Sequence, residues 1–157
     1  MTGQPPTDAD SIRDGKLWLR QQLDKGAHCP LCGQRAQMYR RKINSGMARS
    51  LIHMFRIAGP HPDRWIHVSQ IGAKSREEGK LVHWGLLEEQ KAIGLHGGRA
   101  GYWRLTQKGL DFVQGKTTVH SHVFIYDGRF YGFDGSQVTI KDALGAKFDY
   151  NELLNGA

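Results

Sequence analysis

This 157-residue chain has only two cysteines, Cys29 and Cys32, with two residues between them. Two thiols at that spacing exclude the disulfide framework of a small secreted domain and point to a reducing compartment. Long apolar runs are missing too. None approaches the roughly 18 residues that a membrane-spanning helix needs. The opening MTGQPPTDADSIRD is polar and acidic, whereas a secretory leader needs a basic start and an apolar run. The expectation is a soluble cytoplasmic protein with no membrane partner.

The most informative absence is that of acid. Between Lys25 and Pro62 there is no Asp or Glu, yet seven basic residues lie there: Lys25, Arg35, Arg40, Arg41, Lys42, Arg49 and Arg56. The remaining 15 basic residues are matched by 15 acidic ones, so the formal charge of +7 comes from this stretch. Excess charge of one sign in a single segment suits a polyanionic partner, and nucleic acid is the first candidate. A solvated basic face that binds nothing is the plainer reading.

The chain is long enough for one domain with appendages and for a core without covalent staples. Residues 1–9 are expected to be a disordered tail. Residues 10–44 read as a helix over 10–24, the cysteine turn and a basic segment. Met47, Leu51, Met54, Phe55 and Ala58 recur on one helical face, which predicts a helix over 45–58. RWIHVSQI reads as a short strand feeding a turn, and SREEGKLVHWG as a helix. Ser75 and Glu78 have capping-box spacing, and Gly85 stands where a helix ends. LLEEQ and GYWRLT read as strands around a glycine-rich loop, and TQKGLDFVQG as a closing helix. Beyond residue 115, two β-rich runs flank Asp127-Gly128, a hairpin signal.

The phrase LVHWGLLEEQ…GYWRLTQKGLDFV resembles the end of winged helix-turn-helix transcription factors. Gly85, Leu86, Leu87 and Glu88 carry the likeness, with Tyr102, Leu105, Thr106 and Gly109. It covers residues 45–114 and implies an α+β fold. A winged-helix core is then flanked by an N-terminal helix and cysteine knuckle (10–44) and a C-terminal β-hairpin extension (115–157). One departure is that VSQIGAK is short for a second helix. With CPLCG and MARSLI, the chain also resembles a group of small phage and prophage proteins, a likeness that brings no activity with it.

On that fold the third helix would present Arg76, Lys80 and His83 along one face to the major groove, with Leu81 and Trp84 inward. The wing would offer Lys91, His96 and Arg99 to the phosphate backbone. Arg40, Arg41, Lys42 and Arg49 would clamp phosphates beside the first helix. Each group also has a plainer reading, as a solvated side or as turn geometry.

Cys29 and Cys32, followed by Gly33, form one knuckle of a structural zinc site, which wants four ligands. His120 and His122 share a strand face and would complete a Cys2His2 site; His53, His61 and His67 are alternatives. The thiols could equally bind nothing, or be half of a site shared by a homodimer. Ser-His-Asp, P-loop and dinucleotide motifs are missing, and GPHPDRWIHV has the wrong order for a His-Asn-His nuclease. The leading expectation is a non-enzymatic regulator that binds double-stranded DNA. The alternative is a protein-protein interaction module on the same scaffold.

Overall fold

The computed structural model describes residues 4–61, 63–71, 77–91 and 101–156. It is an α+β structure with antiparallel sheets, and it divides into two compact units. Unit 1 is Met1–Arg41 with Phe124–Gly132, and unit 2 is Lys42–Val123 with Phe133–Ala157. The C-terminal hairpin expected as a separate extension is therefore divided, its tip in unit 1 and its base in unit 2. Its strands keep more long-range partners than their turn signal reveals.

In unit 1, residues 8–10 form a turn, in which the Thr7 N–H donates to the Asp10 carboxylate at 2.7 Å. Helix α1 (Ile12–Gln21) is shorter than the sequence predicts; its start is set by the Ser11 hydroxyl, which accepts from the Asp14 N–H and caps it. Strands β1 (Ala27–His28) and β2 (Arg35–Ala36) pair antiparallel across the cysteine turn. Strand β3 (Tyr39–Lys42), which residue patterning did not predict, follows. At the hairpin tip Asp127 and Gly128 have φ of 51° and 70°. Two positive φ values in a row are what a type I′ turn requires. Leu23, Ala36 and Ile125 are buried here.

Unit 2 is built on helix α2 (Ser45–Ala58), which spans the residues its periodicity predicts. The Asn44 side chain caps it, accepting from the Met47 N–H at 2.9 Å. Met47, Ala48, Leu51, Ile52 and Met54 are fully buried. After it come β4 (Ile66–His67), the one-turn helix α3 (Val68–Ile71) and a 3-10 helix (Glu78–Trp84). Strands β5 (Leu87–Glu89) and β6 (Tyr102–Leu105) lead to α4 (Gln107–Val113). The sheet order is β4-β6-β5, with Ile66 opposite Trp103 and Leu87 opposite Leu105. The long strands β7 (Val119–Tyr126) and β8 (Arg129–Val138) form a sheet of order β3-β7-β8. Helices α5 (Ile140–Leu144) and α6 (Tyr150–Asn155) close the chain.

The expected α-helix over 75–84 is a 3-10 helix in its described part. Gly79 weakens α-helical preference here, and Ser75 lies outside the described residues. Gly85 does end it, in the left-handed conformation with φ 75°. At three residues per turn Leu81 and Trp84 fall on one row and are buried, while Gly79, Val82 and Gly85 form the exposed row. The Trp84 indole N–H donates to the His120 carbonyl at 2.7 Å. The Trp84 carbonyl accepts from the Lys108 ammonium at 2.9 Å, and the Gly85 carbonyl from the Thr106 hydroxyl. A Cβ on Gly109 would run into the Leu86 carbonyl oxygen, so only glycine allows α4 this approach. On α6, the Tyr150 hydroxyl donates to the Val113 carbonyl, and burial pushes the phenol above its usual range.

Replacing Trp84 by Phe keeps an apolar ring but leaves the His120 carbonyl without this donor and removes indole volume. Urea unfolding should show a loss of about 2–3 kcal/mol.

Candidate nucleic-acid interface

The segment expected to read bases carries less exposed charge than its sequence implies. Lys80 is half-buried and paired with Glu77 at 3.0 Å. Glu77 also accepts from the Asn44 side-chain amide at 2.7 Å, which ties the start of the 3-10 helix to the cap of α2. Glu77 is thus a bracket between two helix starts, a role no local pattern discloses. His83 is half-buried as well, and desolvation holds its pKa below the ordinary histidine value. Near neutral pH it is an uncharged ring and adds nothing to a basic stripe. Arg76, His96 and Arg99 lie outside the described residues, and Lys91 is exposed just after β5.

Basic residues are better displayed elsewhere. Arg40 and Arg41 stand exposed on β3 in unit 1, with the Arg41 guanidinium 4.9 Å from the centre of the Tyr39 ring. Tyr39 is 46% exposed, so this pair offers a cation and an aromatic face together. In unit 2, Lys42 is exposed, while Arg49 is half-buried on α2 with its guanidinium 4.5 Å over the Phe148 ring. Arg104 is committed to structure, paired with Glu88 at 2.9 Å and lying over Trp65 at 4.4 Å.

The cysteine turn has the form of a knuckle. The Cys29 N–H donates to the Gln34 carbonyl at 2.7 Å and the Gly33 N–H to the Cys29 carbonyl at 2.8 Å. Gly33 has φ 75°. The two cysteines lie 3.6 Å apart. The Cys32 and Leu31 N–H groups and the Cys32 thiol bond the Cys29 sulfur and hold its pKa below the usual thiol range. His120 and His122 share the half-buried face of β7, as period two requires. Their rings are engaged locally: His120 stacks on Phe133 at 5.1 Å with Nδ1 3.2 Å from the Gly135 carbonyl oxygen, and His122 Nδ1 lies 2.6 Å from the Ser121 hydroxyl.

Among the described residues, no three His, Cys, Asp or Glu side chains gather where they could hold a metal ion. The Cys2His2 set expected from Cys29, Cys32, His120 and His122 is not assembled. The donors fit half of a structural zinc site and no more.

No family model, curated protein or solved structure matches this chain. Among the described residues no helix is long and apolar enough to cross a membrane.

Arg56 escaped the list of candidate residues, although it lies seven positions after Arg49 on α2, a spacing that shares a helix face.

Two titrations test this geometry. As pH falls through the ordinary histidine value of 6.5, the unfolded chain takes up a proton at residue 83 that the folded chain resists. Stability therefore declines toward acid, and His83→Gln should flatten that decline in thermal midpoints measured from pH 7.5 to 5. Cys32→Ser keeps a hydroxyl donor beside Cys29. Alkylation of Cys29 by iodoacetamide should then reach half its maximal rate below the ordinary thiol value of 9.0.

Proposed function

We propose that unit 2 is a winged helix-turn-helix and that the protein binds double-stranded DNA, as a non-enzymatic regulator of phage or prophage type. The observation that carries this reading is the sheet order β4-β6-β5 behind α2, α3 and the 3-10 helix. In a winged helix the first strand pairs with the third and the third with the second, and a wing joins the last two. In chain order such a wing would fall between β5 and β6, where residues 92–100 lie outside the described residues.

The basic residues support a contact dominated by phosphate. Lys80 is held by Glu77, His83 is neutral, and the exposed row of the 3-10 helix is Gly79, Val82 and Gly85. A row without charge or hydrogen-bonding side chains offers little to base edges. Arg40, Arg41 and Lys42, exposed and in a stretch without acid, suit the backbone of the duplex. Sequence discrimination would then rest on Arg76, or on DNA shape.

A second reading has its own observation. On the part of β8 in unit 1, Phe130 and Tyr131 are 45% and 53% exposed. Exposed large aromatics suit a protein contact, so the scaffold would serve as an interaction module or pair with a second copy of itself.

Fluorescence anisotropy with a mixed-sequence duplex of about 30 base pairs separates the two. DNA binding predicts that log K falls linearly with log salt. Arg41→Glu should weaken binding to every duplex alike and reduce the salt slope by about 1. If no binding occurs even at low salt, the regulator reading fails and the aromatic surface of β8 becomes the leading site.

A further inference from the structure

Within unit 2, α2 turns one face toward a cavity of about 300 Å³. Arg49, Ser50, His53 and Arg56 follow one another along that face, and Leu153 of α6 stands on the wall. Its volume is at the lower end of the range for small-molecule sites. Gly46, Ile52 and Ile71 also line it, and among the described lining residues there is no Asp or Glu. On the α2 side that follows from the primary structure, since α2 lies wholly inside the acid-free stretch.

The chemistry of the lining is that of an anion site with an apolar floor. Ile52 and Ile71 are buried, and they face a cavity bordered by two guanidinium groups. Arg49 is held over the ring of Phe148 at 4.5 Å, which fixes the plane of its fork. The guanidinium of Arg56 packs against Gly156 so closely that a Cβ there would meet its Nη2 at 2.5 Å. Both cations therefore lie against the residues that flank α6, Phe148 before it and Gly156 after it. His53 Nε2 lies 3.0 Å from the Gln70 carbonyl oxygen. A carbonyl only accepts, so Nε2 carries the proton, and in the neutral ring Nδ1 is an acceptor. Guanidinium forks match phosphate oxygens in geometry and stay charged at any working pH.

We infer that this cavity binds a small phosphate-bearing molecule of nucleoside monophosphate size. Arg49 and Arg56 hold the phosphate, and Ile52, Ile71 and Leu153 meet the organic body. The ligand is distinct from duplex DNA, and its affinity does not depend on the DNA-binding reading.

Thermal unfolding of the full chain tests this with adenosine monophosphate, inorganic phosphate or no addition, alongside duplex binding by anisotropy. The midpoint should rise with nucleotide concentration as mass action requires, and rise less with inorganic phosphate. Arg49→Gln should need roughly tenfold more nucleotide for the same shift, the loss of one charge-assisted contact. Leu153→Trp puts an indole where the organic body would lie and leaves both arginines. It should abolish the nucleotide shift without changing duplex affinity. The inference is overturned if the native chain shows no nucleotide shift, if inorganic phosphate shifts it as much, or if Leu153→Trp keeps the shift. It is also overturned if Leu153→Trp weakens duplex binding as much as nucleotide binding, since the phosphate would then belong to the DNA backbone.

Discussion

The indole of Trp84 is the largest fully buried side chain in the protein's described part, and its single donor must find a partner where no water reaches. It finds the carbonyl of His120, 36 residues further along. The same short segment then saturates its own carbonyls with the Lys108 ammonium and the Thr106 hydroxyl and N–H. Three elements distant in sequence, the 3-10 helix, α4 and β7, meet through groups that would be costly to leave unpaired. Leu86 and Gly109 complete the junction by steric fit, since the carbonyl of one occupies the space a side chain on the other would need. Unit 2 is held by this meeting of backbone and ring, with the apolar face of α2 beneath it.

Electrostatics adds a second constraint. Because no acid occurs between residues 25 and 62, the arginines of α2 cannot be neutralised from their own helix. Arg49 lies over an aromatic ring and Arg56 packs against the end of α6. Where a carboxylate does enter the basic region it comes from outside, as when Glu77 reaches Asn44 and Lys80. That contact lowers the exposed charge of the 3-10 helix and leaves the strand residues Arg40, Arg41 and Lys42 as the more open cations. The fold thus leaves some of these cations half-buried and others exposed.

Much of this was legible beforehand wherever the deciding energy is local. The face of α2 followed from apolar residues at helical spacing, the Asp127-Gly128 turn from the need for positive φ, and the end of the 3-10 helix from Gly85. Paired histidines on one face of β7 followed from strand parity. Some of the misses were local in origin: the Ser11 cap set the start of α1, and Gly79 with two buried residues at three-residue spacing made a 3-10 helix of an expected α-helix. Strand β3 has the sequence YRRK, and no alternation of apolar residues announces it.

Sequence by itself determined helix α2, the turns that need glycine, the spacing of the two thiols and the acid-free quarter of the chain. Each depends on neighbours within a few residues or on composition alone. Only the tertiary structure decided that the long hairpin is shared between two units, that Lys80 has a partner and that burial lowers the pKa of His83. Only it brought Leu153 beside Arg49 and Arg56 to enclose a cavity. Those outcomes are set by desolvation and packing between segments up to a hundred residues apart, and such distances leave no imprint on local pattern.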